Sequence, residues 1–232
     1  MTDTPIGRGR ACIDGIGSGG VPNGPSYTGP MKAAAGPQTR GSRQSHATLG
    51  QIAVLVPVKS FAAAKQRLGS ALPDAERRAL VQHMAARVIL AAAPLPVAVV
   101  CDDAEVADWA RQHGALVVWE PGRGLNGAVE AGVARMAELG VRVATVVHAD
   151  LPLADGIGML EPFNGVTLVP DRQDNGTNLI RLPVACGFRF SYGPGSFQRH
   201  LQECTRLELA VNVLRRPELA FDLDWPADLP LR

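Results

Sequence analysis

Between residues 51 and 147 short apolar runs alternate with stretches whose apolar positions recur at helical spacing. Residues 51–58 form a run of strand length, and 74–92 carry Leu80, Met84, Val88 and Ile89 on one helical face. A second apolar run, 96–101, leads into Asp102-Asp103 and a short helical stretch through Ala110. A third run spans 115–119, and the turn Gly122-Arg123-Gly124-Leu125-Asn126-Gly127 opens a helix to about Leu139. The fourth run, 141–147, closes on His148-Ala149-Asp150. This alternation predicts an α/β chain whose mostly parallel sheet carries helices on both faces. Right-handed crossovers then bring the strand C-termini to one edge, where such folds bind ligands. Lys59, Asp102, the glycine-rich turn and Asp150 all fall on that edge.

After Asp150 the rhythm breaks. Short strands are expected at 165–169, 177–182 and 219–223, with one helix starting near Gly195-Ser196. These read as mixed or antiparallel additions to the sheet that supply the second wall of a cleft. Residues 1–50 hold 11 of the 25 glycines and no apolar run able to offset the entropy of ordering, so they are expected to be a disordered tail ahead of a single domain at 51–232. They lack the apolar segment and cleavage pattern of a signal peptide, and Met31 offers an alternative start.

Charge and cysteine usage narrow the partners. The net charge of +1 argues against a nucleic-acid surface, and no apolar stretch reaches the length of a membrane span. Cys12, Cys101, Cys186 and Cys204 lie far apart without C-x2-C pairing, as expected for reduced thiols in a cytoplasmic protein.

Lys59, Lys65 and Arg67 follow the first strand in a loop ahead of a helix, a place where phosphates are held. The loop is neither a Walker A nor a dinucleotide fingerprint, and a solvated basic loop is the plain alternative. Asp150 ends a buried strand, where an ionised carboxylate is costly unless paired or metal-bound; its alternative role is an N-cap for the turn after Pro152. Asp222 and Asp224, read on a strand, face opposite sides, so only one can join Asp150 and the other caps the segment starting at Pro226. Two carboxylates from different strands suit Mg²⁺. The Asn175-Gly176-Thr177-Asn178 turn offers amides and a hydroxyl to an oxyanion, or is an ordinary hairpin turn. Tyr192-Gly193-Pro194-Gly195-Ser196-Phe197 enters a helix whose first amides attract anions, or Ser196 is a simple cap. His83, His148 and His200 show no metal-ligand spacing, and no Gly-x-Ser-x-Gly elbow occurs.

Six motifs in unbroken order over about 51–230 give the chain a resemblance. They are Pro-Val-Lys…Ala-Ala-Ala-Lys-x-Arg-Leu (57–68), Gly-Leu-Asn-x-Ala (124–128), His-Ala-Asp-Leu-Pro (148–152), Gly-Thr-Asn (176–178), Tyr-Gly-Pro-Gly-Ser-Phe-x-x-His (192–200) and Asp-Leu-Asp-x-Pro-x-Asp-Leu (222–229). The chain resembles the phospholactate/phosphoenolpyruvate guanylyltransferases of coenzyme F420 biosynthesis. That resemblance implies a GT-A-like, Rossmann-related nucleotidyltransferase fold. It also implies transfer of GMP from GTP to 3-phosphoglycerate, phosphoenolpyruvate or 2-phospholactate with release of pyrophosphate, Mg²⁺ as cofactor, and a possible homodimer. By the same resemblance Val56, Pro57, Val58 and Lys59 would hold guanine and phosphates, with Lys65 near the triphosphate and Gly124, Leu125 and Asn126 bordering the nucleoside. Asp150 and Asp222 would hold Mg²⁺, with Lys65 completing the catalytic set, and Thr177, Gly193 and Ser196 would receive the phospho-acid.

The chemistry agrees with the residues. Nucleotidyl transfer is an in-line displacement at the α-phosphorus that asks for cations and positioning rather than a protein nucleophile. Trp225 departs from the pattern, standing where the family has Thr. The alternatives are a molybdenum-cofactor or sugar-phosphate nucleotidyltransferase, from which Phe61-Ala62-Ala63-Ala64 departs by lacking Gly-x-Gly-x-x-Arg, and a non-catalytic nucleotide-binding protein of the same fold.

Overall fold

Four strands, β1 (Ile52–Pro57), β2 (Val97–Cys101), β3 (Leu116–Trp119) and β4 (Val143–Val147), run parallel, linked through α1 (Asp74–Ala91), α2 (Ala104–Gln112) and α3 (Gly124–Glu138). The structure is a computed structural model that describes residues 49–229. The tail expected at 1–50 therefore lies outside the described residues apart from its last two, and so does Cys12. Three further strands follow: β5 (Val166–Pro170), β6 (Thr177–Pro183) and β7 (Val211–Val213), with α4 (Ser196–Arg206) before β7 and the short α5 (Pro217–Ala220) after it. The sheet order is β3-β2-β1-β4-β6-β5-β7, and β6 is antiparallel to both its neighbours.

Alternation along β1 sorts the chain into two cores. Val54, Val56 and Val58 face one side with Met84 and Val88 of α1, Trp109 of α2 and Leu219 of α5. Ala53 and Leu55 face the other with Val129, Val133 and Met136 of α3 and Phe197 and Cys204 of α4. Strands buried on both faces need apolar residues at every position, which is why these runs are continuous. Each fully buried Val or Leu contributes about 1.5–3 kcal/mol, so the sheet is a rigid base for its edge. α3 packs tightly on the sheet at Gly132, where a Cβ would stand 2.7 Å from Leu55 Cδ2.

Strand and helix positions expected through β4 agree with the structure to within two residues, and the mixed character of the C-terminal half is present. Two differences stand out. The strand expected at 219–223 is α5 followed by non-strand backbone, because Pro217 opens a helical turn and no neighbouring strand pairs with the segment. β7 was missed, although Leu207, Leu209, Val211 and Val213 alternate as a strand should.

Candidate active site

The C-terminal ends of β1 to β4 meet at one edge, as the crossover rule requires. A cleft of about 210 Å³ opens there, walled by Pro57, Val58, Lys59, Asp102, Gly124 and Leu125. Asp103 caps α2 by accepting from the amides of Glu105 (2.9 Å) and Val106 (3.2 Å), which leaves neighbouring Asp102 at the cleft. Val56 does not reach it: the side chain is fully buried and its backbone lies within the sheet between β2 and β4. Asn126 does not line the cleft either. Its Oδ1 accepts from the Tyr192 amide at 2.7 Å and so ties the start of α3 to the loop ahead of α4.

The loop after β1 is anchored by Phe61, fully buried and edge-on to Trp109 at 5.2 Å, and by Leu68. Between these anchors Lys65 sits in the left-handed region (φ 51°, ψ 41°), at the head of a 3-10 turn over Gln66–Ser70. A non-glycine residue held there marks a place where tertiary contacts override local preference. Lys65 Nζ donates to Asp150 Oδ2 at 2.5 Å and to Asp224 Oδ1. Burial alone would lower the ammonium, but attraction and hydrogen bonds from Asp150 and Asp224 hold its pKa above the ordinary lysine value. For Asp150 burial pulls upward, and the charge of Lys65 outweighs it, leaving the carboxyl below its usual range.

The placement of Asp224 corrects the sequence reading. Asp222 was to face the site and Asp224 to point away. Instead Asp224 meets Lys65, and Asp222 and Asp224 both line a second cleft of about 380 Å³. With no strand at this point the pleat rule does not apply. The segment is pinned by Leu223, which is buried and donates its amide to the Asp150 carbonyl at 3.2 Å. Neither carboxylate caps the turn at Pro226; Asp228 Oδ2 does so, accepting from the amides of Asp224 (3.0 Å) and Trp225 (2.8 Å).

The second cleft is shaped by polar side chains that hold backbone. Asp171 accepts from the amides of Gln173 and Asn175 (both 2.9 Å) and Gly176 (2.7 Å), fixing the β5–β6 turn. Asn175 Oδ1 accepts from the Gly195 amide at 3.0 Å and so docks that turn on the start of α4. Thr177 and Ser196 are buried, with Thr177 Oγ1 3.0 Å from His200 Nδ1 and 3.5 Å from Ser196 Oγ. The Ser196 amide donates to the Gly193 carbonyl and that of Phe197 to the Asn175 carbonyl, so two amides of the first turn of α4 already have partners. Gly193 is exposed, with φ 118°.

Among the described residues no three His, Cys, Asp or Glu side chains form a ready ligand set. The donor chemistry nonetheless fits a divalent cation. Asp150 Oδ1 is buried with no hydrogen-bond partner. Burial first, then the nearby charges of Asp150 and Asp224, push Asp222 above its ordinary value. A hard ion that fills most of its shell with water and phosphate oxygens needs only a few carboxylate oxygens and would relieve that crowding.

A sheet of this order, with carboxylates and a lysine at its edge, has the nucleotidyltransferase-like fold. The fold is shared with a protein described as a nucleotide-diphospho-sugar transferase from Desulfovibrio desulfuricans (TM-score 0.61, 16% identity, 75% of this chain and 83% of that one). It is shared also with a nucleotidyl transferase from Methanothermobacter (TM-score 0.56, 13% identity, 77% and 94%). Residues 52–230 match the family described as "Guanylyl transferase CofC like", and the chain belongs to that family. Over 184 residues it is 41% identical to the phosphoenolpyruvate guanylyltransferase of Rubrobacter xylanophilus (75% of this chain, 90% of the relative). It is 37% identical to that of Sphaerobacter thermophilus (75% and 89%). The protein is a nucleotidyltransferase that acts on a nucleotide and a phospho-acid. No helix among the described residues is long and apolar enough to cross a membrane.

Proposed function

We propose that this enzyme transfers GMP from GTP to phosphoenolpyruvate, releasing pyrophosphate, as a step of coenzyme F420 biosynthesis. The observation that carries the reading is Lys65, held charged between Asp150 and Asp224 at the edge where the strands end. The first cleft takes the nucleoside against Pro57, Val58 and Leu125, with the phosphates running toward Lys59 and Lys65. The second takes the acceptor. An ionised acceptor phosphate is already a nucleophile: one of its oxygens bonds to the α-phosphorus while the bond from the α-phosphorus to the oxygen of the β-phosphate breaks. No protein base has to remove a proton, which accounts for a site built of cations and carboxylates.

Mg²⁺ would be held by Asp150 with Asp222 and Asp224. When bound it supplies charge neutralisation at the phosphate oxygens and orients attack in line. Lys65 then exchanges its carboxylate partners for phosphate oxygens. The buried pair Thr177 and Ser196 supports the acceptor wall from beneath, and the exposed Gly193 faces the acceptor. The described domain folds as one catalytic unit, and its free Cys101, Cys186 and Cys204 suit a reducing cytoplasm.

The test is pyrophosphate release with GTP and Mg²⁺, run separately with phosphoenolpyruvate, 3-phosphoglycerate, 2-phospholactate and no acceptor. Release dependent on phosphoenolpyruvate is expected. A faster reaction with either other acid would reassign the acceptor, and silence with all three would refute the reading.

A further inference from the structure

The two clefts are walled by different halves of the chain, and one polar contact joins the walls directly. Asn126 follows Gly124 and Leu125, which border the first cleft from the start of α3. Its Oδ1 accepts from the Tyr192 amide at 2.7 Å, across 66 positions of sequence. The segment that Tyr192 opens runs through Gly193 and Pro194 to the start of α4, and Pro194 borders the second cleft. Other ties of that segment come from its own half. Asn175 Oδ1 accepts from the Gly195 amide, and Arg199 donates to the carbonyls of Ser191 and Pro194. The bond from Asn126 comes instead from the wall of the first cleft.

Tyr192 is placed to pass on what Asn126 fixes. Its ring packs 4.9 Å from that of His148 and 5.1 Å from that of His200. His148 shares a cavity of about 320 Å³ with Leu125, Lys59, Lys65 and Asp150, and His200 Nδ1 meets Thr177 Oγ1. Glycines with positive φ flank the bond on both sides: Gly122 and Gly124 ahead of Asn126 (73° and 62°), Gly193 and Gly195 after Tyr192 (118° and 75°). Glycine loses more conformational freedom on ordering than any other residue, so each turn has order to gain. A bond between the turns lets whatever orders one order the other.

We infer that Asn126 is a positioning residue that couples the two substrates through Tyr192. A nucleotide seated against Leu125 orders the acceptor wall, and an acceptor seated on that wall orders the nucleoside side in return. The inference rests on the two-cleft reading above and adds the contact through which each substrate favours the other. Coupling of this kind is reciprocal, so both substrates gain affinity by the same factor. A single neutral hydrogen bond sets that factor at about three- to tenfold.

The experiment measures Kd for phosphoenolpyruvate by calorimetry in Mg²⁺, without and with a saturating GTP analogue. The analogue carries a methylene between its α and β phosphorus atoms and so cannot release pyrophosphate. In the wild type it is expected to tighten phosphoenolpyruvate about three- to tenfold, and the acid to tighten the analogue equally. Asn126→Ala should bring both ratios to about one, with the protein still folded by circular dichroism. Asn126→Asp keeps an oxygen facing the Tyr192 amide and should restore the coupling, because the charge it adds enters both Kd values and cancels in their ratio. Hydrogen exchange over residues 191–195 is a second readout: the analogue alone should slow it in the wild type but not in Asn126→Ala. A ratio unchanged in Asn126→Ala, or a ratio of one in the wild type, overturns the inference and leaves the acceptor reading intact. Phosphoenolpyruvate that binds in neither state overturns both.

Discussion

The two halves of the sheet reach the same edge by different means. In β1 to β4 position comes from apolar strands covered on both faces, and the groups that matter simply follow the strand ends: Lys59 after β1, Asp102 after β2, Asp150 after β4. In the half built on β5 to β7 position comes from side chains bonded to backbone: Asp171 on three amides, Asn175 on Gly195, Arg199 on the carbonyls of Ser191 and Pro194, Asp228 on Asp224 and Trp225. The first half is set by burial, which is insensitive to pH and to single polar changes. The second depends on individual polar atoms, and each one is a point of failure.

That contrast is open to direct attack. The largest expected effect is at the junction: Asp224→Asn should cut turnover on the order of 10²–10³-fold, comparable to Asp150→Asn, with the fold intact by circular dichroism. A mild effect at Asp224 would return it to the role the strand pattern gave it. Next comes acid. His200 accepts from the Ser191 amide at Nε2 (3.0 Å), and burial, aided by the charges of Arg199 and His148, lowers its pKa to about 4. Unfolded histidine titrates near 6.5, so between those values the unfolded chain binds more protons and stability rises with pH. As pH falls from about 6.5 to 4 the fold should lose about 3 kcal/mol through this residue, read by urea unfolding, and His200→Gln should flatten that slope.

Asp171→Ala should cost about 1–2 kcal/mol through the amides it leaves, and raise KM for the acceptor but not for GTP. An equal rise in both would erase the distinction between the halves. The smallest effect belongs to the apolar half. Gly132→Ala gains about 1 kcal/mol of helix propensity and loses about 1–3 to crowding against Leu55, a net loss of about 1 seen in the melting temperature with turnover unchanged.

Legibility in the sequence follows the same division. The strands β1 to β4, and the edge that gathers Lys59 and Asp150, could be read because burial on two faces writes itself as continuous apolar runs. Motif order identified the family. Asp224 was misplaced because Phe221-Asp222-Leu223-Asp224 alternates like a strand while its backbone pairs with none, and alternation cannot say whether a partner exists. That the hydroxyls of Thr177 and Ser196 lie buried near each other is a fact of packing between β6 and α4, which neither turn pattern encodes. The contact of Arg67 with Trp225 joins residues 158 positions apart, and no local pattern encodes it.

One reversed strand has a further consequence. Because β6 runs against β4 and β5, the chain turns from Pro170 to Thr177 at the edge where the second cleft lies, with no crossover helix between. The connection there is a hairpin rather than half a βαβ unit. Lengthening a hairpin tip adds closure entropy only logarithmically, about 0.6 kcal/mol per doubling. The wall of the second cleft can therefore be rebuilt, residue by residue, without moving a helix, whereas that of the first is bound to the start of α3 and cannot change length without shifting it. With the nucleotide in the first cleft and the acceptor in the second, as proposed above, such a scaffold keeps its nucleotide constant and lets its second substrate diversify.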